Sequence, residues 1–207
     1  MTFDRDAYIC TYRAKANPPP ETRLSATTRR HDPDRRARIL RATLDTIAAH
    51  GVAGTTHRRI AAAADVPLGS MTYHFASLDD LLTEAFTLLA DTVAARFGER
   101  LAAAGTRADA CEAVVDLVVD EIWATPRTLL LSYELYAYAA RVPALRRVMQ
   151  GWMGKSREAL ERHFSPETAR ALDAMIEGLS IHRSVDPRPA SREEVRAIVA
   201  RLTLPLP

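Results

Sequence analysis

Apolar side chains recur at intervals of three and four residues along most of this 207-residue chain, which is the period of an amphipathic helix. No stretch keeps the alternation of a half-buried strand. The pattern therefore predicts an all-α protein of about nine helices. The predicted helices span residues 34–50, 56–64, 67–75, 77–104, 108–124, 127–141, 143–163, 166–183 and 191–203.

Residues that start and stop helices separate these segments. Gly51 follows the first helix as its stop, and Thr55 or Thr56 can cap the second. Ser77, with two acids in the first turn that follows it, opens a long fourth helix. Most breaks between the later helices carry proline, which can start a helix but not continue one.

The first residues differ from the rest because they contain Pro18-Pro19-Pro20 and no apolar periodicity. We therefore expect residues 1–32 to be a disordered arm. Residues 33–80 are expected to form one helical domain, and residues 81–207 a second.

Charge is distributed unevenly. Residues 1–75 carry a net charge of +5 and residues 76–207 one of −3. A basic front on an acidic body suggests a module that faces a polyanion, although an arginine-rich composition would give the same bias. No apolar run is long enough to span a membrane, and two cysteines make no disulfide framework, so a cytoplasmic location is expected.

The short second and third helices have the spacing of a helix-turn-helix. Alanines 61–64 allow two helices to cross closely, and Pro67 can start the next helix without losing a hydrogen bond. Gly69 and Ser70 leave the front of the third helix low, so that its backbone N–H groups can approach a phosphate. These features predict a DNA-reading motif.

The third helix divides into an anchoring and a reading face. Met71 and Phe75 lie four residues apart and are expected to hold the helix to the core. The residues left to point outward are Ser70, Thr72, Tyr73 and His74.

The run GVAGTTHRRIAAAADVPLGSMTYHFASLDDLL closely resembles the DNA-binding domain of TetR-family transcriptional regulators. Four positions depart from the family pattern. Asp65 replaces a glycine, Pro67 a serine and Thr72 a tyrosine, and Leu78 stands where a phosphate-binding lysine is usual.

The resemblance implies which residues contact DNA. Thr56 would grip a phosphate, and Arg58 would contact either a guanine edge or a phosphate. Leu68 and the methyl group of Thr72 suit thymine methyl groups. The full predicted set is Thr56, His57, Arg58, Leu68, Gly69, Ser70, Thr72, Tyr73 and His74.

The middle helices carry most of the bulky aromatic side chains, which suit an apolar ligand with a few polar groups. Each of them taken singly is also compatible with a place in the core. Glu134 could receive a cationic or hydroxyl-bearing ligand, or pair with Arg141 or Arg146 on the helix surface. The predicted ligand-binding residues are Phe86, Trp123, Tyr133, Glu134, Tyr136, Met149, Trp152 and Met153.

The last two helices carry apolar stripes. The resemblance implies that they pair with a second copy as a four-helix bundle, while the protomer's own core is the alternative. The predicted dimerisation residues are Leu172, Met175, Ile176, Leu179, Val195, Ile198, Val199 and Leu202.

The sequence therefore favours a ligand-responsive repressor that binds a palindromic operator as a homodimer. A small, largely apolar effector would shift the fourth helix and release the DNA. No nucleophile, phosphate-loop or zinc-protease motif supports an enzyme, and no cofactor or metal is expected. A ligand-independent architectural DNA-binding protein is the alternative, followed by a small all-helical enzyme.

Overall fold

Nine helices and no strand make up the part of the chain that this computed structural model describes, residues 34–120 and 125–204. They are α1 (Arg35–His50), α2 (His57–Ala63), α3 (Gly69–His74), α4 (Leu78–Ala102), α5 (Arg107–Val119), α6 (Pro126–Ala139), α7 (Pro143–Glu161), α8 (Pro166–Arg183) and α9 (Arg192–Thr203). The predicted all-α fold is confirmed. The predicted arm, residues 1–32, lies outside the described residues.

The predicted helix bounds hold closely except at α3 and α5. Helix α3 begins at Gly69 because the amide of Ser70 bonds the carbonyl oxygen of Pro67 at 2.8 Å, so a tight turn precedes the helix. Helix α5 ends at Val119, although the prediction extended it to residue 124. Residues 121–124 lie outside the described residues.

Short polar side chains fix the starts of several helices. The hydroxyl oxygen of Thr56 accepts from the amide of Arg59 at 3.3 Å, and that of Ser77 accepts from Asp80 at 3.0 Å. Capping boxes begin α5 at Thr106 and α9 at Ser191. Each cap satisfies backbone donors that the helix leaves without a partner.

In the helix-turn-helix, one face of α2 and one face of α3 are buried. Met71 and Phe75 are buried, as their spacing predicts, together with Ala61 and Ala64. Arg38 of α1 donates from Nε to the carbonyl oxygen of Ala64 at 3.0 Å and so supports the end of α2. Helix α3 is therefore held by apolar packing of its buried face, and α1 supports the end of the preceding helix α2.

Helix α4 is the central element, because it packs against α1 near its start and along α7 and α5 further on. Its buried side chains run from Leu81 to Leu101 without a long gap. Helix α9 packs on α5, where Arg192 pairs with Asp116 at 2.7 Å and Arg196 pairs with Glu112 at 2.6 Å.

Helix α6 contacts the helix-turn-helix region through three polar side chains. Arg127 pairs with Asp45 of α1 at 2.5 Å, and the hydroxyl group of Tyr138 lies 3.3 Å from Asp79 in the first turn of α4. Between them, Glu134 accepts a hydrogen bond from the amide of Val52 at 2.9 Å. Along α6 these three residues are seven and four positions apart, so one face of α6 is attached to the helix-turn-helix region.

The turn between α2 and α3 contains a strained residue. Asp65 has a φ of +49°, in the left-handed region where most family members carry glycine by the pattern above. A residue with a Cβ atom is sterically strained in this conformation, although aspartate tolerates it better than most residues do.

We expect Asp65→Gly to raise the free energy of unfolding by about 1 kcal/mol, because glycine adopts the left-handed conformation without steric cost. Urea denaturation measures the change. Asp65→Ala is the matched control and is expected to destabilise the protein. An Asp65→Gly variant no more stable than the alanine variant would contradict the assignment of strain to this residue.

Candidate DNA-binding surface and effector cavity

The outward face of α3 is strongly exposed. The side chain of Tyr73 is 84% exposed and that of Leu68 51%, and Gly69 and Thr72 are exposed beside them. Ser70 is half-buried, and the hydroxyl group of Thr72 donates to the carbonyl oxygen of Gly69 at 3.2 Å. The structure therefore brings the predicted reading residues of α3 onto one accessible edge.

The front of α2 offers a second set of groups. Thr56 and Arg58 are exposed, and His57 is half-buried. The guanidinium of Arg59 donates to the carbonyl oxygen of Gly54 at 2.5 Å, so it is held by the loop. Among the described residues Arg58 has no hydrogen-bond or ion-pair partner, which leaves its guanidinium available.

His74 lies in a positively charged corner. Partial burial lowers its pKa, and the nearby cations of Arg35 and Arg36 lower it further. The neutral imidazole is therefore favoured near pH 7, and it can still donate one hydrogen bond to a phosphate oxygen. The ring of Tyr73 packs edge-on against it at 4.9 Å between centroids.

The start of α4 is closed by its own side chains. Leu78 stands where the family pattern has a lysine, and the amide of Asp80 is already bonded by Ser77. The carboxylate of Asp80 accepts from the amide of Ala76 at 3.2 Å. Two acids in this first turn, Asp79 and Asp80, make the position a poor phosphate anchor.

A cavity lies between α4, α6, α7 and α8. It encloses only about 30 Å³, and about 410 Å³ of space when its open mouth is included. Its lining is Val93, Phe97, Tyr136, Met149, Trp152, Met153, Ser156, Asp173, Ile176 and Glu177. Four of the predicted ligand-binding residues therefore come together here, namely Tyr136, Met149, Trp152 and Met153.

Two carboxyl groups enter this otherwise apolar cavity from α8. Asp173 accepts from Nε of Arg157 at 2.9 Å, while Glu177 accepts from the hydroxyl group of Tyr136. Burial raises the pKa of both carboxyl groups, against the hydrogen bonds that favour their ionised forms. Burial also raises the pKa of Tyr136, so its hydroxyl group stays protonated and donates.

The other predicted ligand-binding residues lie elsewhere. Phe86 is fully buried in the core and is not part of the lining of this cavity. Tyr133 lies with its hydroxyl group 2.9 Å from that of Ser184, and Glu134 bonds Val52 rather than Arg141 or Arg146. None of these three side chains lines the cavity described above. Trp123 lies outside the described residues.

Half of the predicted dimerisation stripe belongs to the protomer's own core. Leu172, Ile176, Val195 and Val199 are each buried within one chain, because α8 and α9 pack onto α5 and each other. These four side chains therefore occupy the protomer's own core, which is the alternative that the sequence leaves open. Met175, Leu179, Ile198 and Leu202 are only partly buried and stay predictions for such a surface.

Sequence reasoning missed the two acids of the cavity. Asp173 and Glu177 are four residues apart and flank Ile176, so all three share one helical face. This spacing is visible in the sequence, but the apolar stripe of the same helix predicts a dimer surface and not a cavity lining. The sequence shows that this face is apolar, but it does not show which neighbouring helices cover it.

Two further properties concern the described residues only. None of the helices in residues 34–120 and 125–204 is long and apolar enough to cross a membrane. The same residues contain no group of three or more His, Cys, Asp or Glu side chains arranged to hold a metal ion.

Comparison with known proteins supports both halves of the arrangement. Residues 39–85 match the model of bacterial regulatory proteins of the tetR family, and residues 105–204 match a tetracyclin repressor-like C-terminal domain. The HTH-type transcriptional regulator BetI 1 of Chromohalobacter salexigens is 28% identical over 178 residues, which cover 80% of this chain and 87% of BetI 1.

Solved structures give closer matches. SCO7518 of Streptomyces coelicolor A3(2) is 50% identical, with a TM-score of 0.76 over 83% of this chain and 99% of that one. The multidrug binding protein EbrR, complexed with ethidium, is 37% identical, with a TM-score of 0.70 over 83% and 99% of the two chains.

A helix-turn-helix domain joined to a helical body with a cavity between its helices defines this protein as a transcriptional regulator. The chain belongs to the TetR family. It is therefore a regulator and not an enzyme.

We expect Arg58→Ala to cost about 1–3 kcal/mol of specific DNA binding and to relax the preference at one base position. Selection of bound oligonucleotides, followed by titration of the selected site, measures both effects. Arg59→Ala is the control, since that guanidinium is held by Gly54. A uniform loss over all sequences after Arg58→Ala would assign Arg58 to a phosphate.

Proposed function

We propose that this protein is a repressor that binds a palindromic operator as a homodimer and is released by a small lipophilic cation. The observation that carries the proposal is the carboxyl group of Glu177 inside a cavity formed mainly by aromatic and apolar side chains. A buried acid of this kind favours a cationic ligand, since it gains a direct ion pair only when the ligand arrives.

The choice of Glu177 over Asp173 follows from their partners. Asp173 is already neutralised by Arg157 at 2.9 Å. The direct partner of Glu177 is the hydroxyl group of Tyr136, which carries no charge, and Arg157 acts on Glu177 only through space. A ligand cation would therefore improve the environment of Glu177 more than that of Asp173.

The rest of the cavity suits a flat or bulky apolar cation. Tyr136 and Trp152 offer aromatic faces, and Met149 and Met153 adapt their shape. EbrR, at 34–37% identity, has been solved with ethidium, proflavin and malachite green, all of them aromatic cations. This similarity supports the same ligand class here. The effector that we propose therefore differs from the largely apolar one that the sequence predicts by carrying a positive charge.

The dimer follows from the size of the reading element. Helix α3 has only six residues, so one copy contacts few bases, and pairing two copies across a palindrome multiplies the affinity. The partly exposed side chains of Met175, Leu179, Ile198 and Leu202 supply an apolar surface for the second copy. Between the first two, Gly178 has open space around it and allows a close approach of helices.

The route from cavity to DNA involves α6 as well as α4. Tyr136 of α6 faces Glu177, and Glu134, two positions earlier, holds the amide of Val52 in the turn that precedes α2. A cation that takes Glu177 as its partner removes the acceptor of Tyr136. The resulting movement of α6 would displace the helix-turn-helix. The ligand would also contact α4 directly, because Val93 and Phe97 of that helix line the cavity.

We expect Glu177→Gln to weaken ethidium binding by about 10- to 100-fold, the value of one lost charged hydrogen bond. Fluorescence titration measures the affinity. Because burial raises the pKa of Glu177, affinity in the unmodified protein should fall as the pH drops through that raised value. The glutamine variant should depend less on pH, since only Asp173 then titrates in the cavity.

The control for this prediction is Glu167→Gln, an exposed acid in the first turn of the same helix. It changes the net charge equally and is expected to leave the affinity within twofold. Equal losses in both variants would point to long-range electrostatics and would contradict a direct contact.

We expect Glu134→Ala to leave ethidium affinity nearly unchanged while it reduces the effect of ethidium on operator binding. The alanine variant lacks the acceptor for Val52, whereas Glu134→Gln keeps an acceptor and is the matched control. Operator titrations with and without the dye measure the coupling. By thermodynamic linkage, operator DNA should also cease to weaken dye binding. An unchanged ratio of operator affinities would exclude α6 from the route.

A further inference from the structure

A second depression lies beside the cavity, on the surface between α4 and α7. It contains about 680 Å³ of space that is open to solvent. Its lining is Thr83, Thr87, Ala90, Asp91, Ala144, Arg147, Val148, Gly151, Trp152 and Lys155. The groove therefore follows the same two helices that form one side of the cavity.

Trp152 is the residue that the cavity and the groove share. It lines both, and it is half-buried. Because Trp152 belongs to both linings, its side chain is the one whose displacement would open one space to the other. A ligand of extended shape would then occupy both.

The two spaces differ in charge. The cavity contains the carboxyl groups of Asp173 and Glu177. In the groove, Lys155 pairs with Asp91 at 2.6 Å, which leaves the guanidinium of Arg147 as an excess positive charge. A cationic group is therefore favoured in the cavity and disfavoured in the groove, so a ligand that spans both has a defined orientation.

The wall and floor of the groove accept apolar groups. The methyl groups of Thr83 and Thr87 remain for contact, because their hydroxyl groups donate to the carbonyl oxygens of Asp79 and Thr83 on their own helix, each at 2.8 Å. Gly151 lies in the groove with nothing within 4 Å of the position of a Cβ atom. This floor has no side chain and leaves room for a ligand tail.

We propose that the α4–α7 groove is the outer half of the effector site and takes the uncharged, apolar tail of an elongated cation whose charged end lies at Glu177. The proposal rests on the function proposed above and adds the ligand's shape and orientation. Trp152 determines access between the two halves.

The test fills the groove without disturbing the cavity. Gly151→Leu places an apolar side chain in open space on the groove floor. Gly154→Leu is the matched control, because Gly154 lies in the same helix, also has open space at its Cβ position and lines neither space. Both substitutions replace a mid-helix glycine, so effects of helix propensity are common to the two.

The probes are tetramethylammonium and octyltrimethylammonium, which share a charged end and differ only in the tail. Calorimetry on the full chain should show tighter binding of the octyl compound to the unmodified protein, since each buried methylene contributes about fourfold. Gly151→Leu should weaken the octyl compound at least tenfold and tetramethylammonium less than twofold. Gly154→Leu should change neither.

Other results would overturn the proposal. Unchanged octyl affinity in Gly151→Leu, or equal losses for both probes, would remove the groove from the effector site while leaving the cavity intact. Failure of the unmodified protein to bind either probe would instead contradict the proposed cationic effector. Thermal unfolding of each variant distinguishes a filled groove from a misfolded chain.

Discussion

The hydrogen bond between Glu134 and the amide of Val52 connects the two ends of this molecule, and the effector response proposed here depends on it. Gly51, just before Val52, ends α1 with a φ of +68° and would bring a Cβ atom within 3.1 Å of the Glu134 carboxylate. A residue with a side chain would be strained here and would crowd the acid. Gly51 thus ends α1, and its lack of a side chain also leaves room for Glu134 to reach the turn that precedes α2.

This contact gains importance from what lies on the other side of α6. Tyr136 projects to the cavity and donates to Glu177, so α6 holds the DNA-binding end by one face and α8 by another. A ligand changes operator affinity only if it binds the two arrangements of the protein unequally. A cation at Glu177 meets this condition on our proposal, because it competes with Tyr136 for the same carboxylate.

The helices and the helix-turn-helix could be predicted from the sequence because their determinants are local. Caps such as Ser77, the glycine stop at Gly51 and the spacing of Met71 and Phe75 act within a few residues. The cavity could not be predicted as well. Periodicity shows which face of a helix is apolar, but not which neighbour covers it, and Phe86 is therefore as consistent with a pocket as with the core until α7 and α5 are in place.

The same limitation explains α8, and it also suggests how the two proposed functions of this helix are related. Its inner face carries Asp173, Ile176 and Glu177 and lines the cavity, whereas Met175 and Leu179 lie toward the partly exposed side. In the dimer that we propose, one helix would contact the ligand and the second copy on different faces. A ligand that displaces α8 would then act on the separation of the two recognition helices directly, in addition to its effect through α6. Because protein cores are close-packed, a displacement of α8 would be transmitted to the second copy with little loss by local rearrangement.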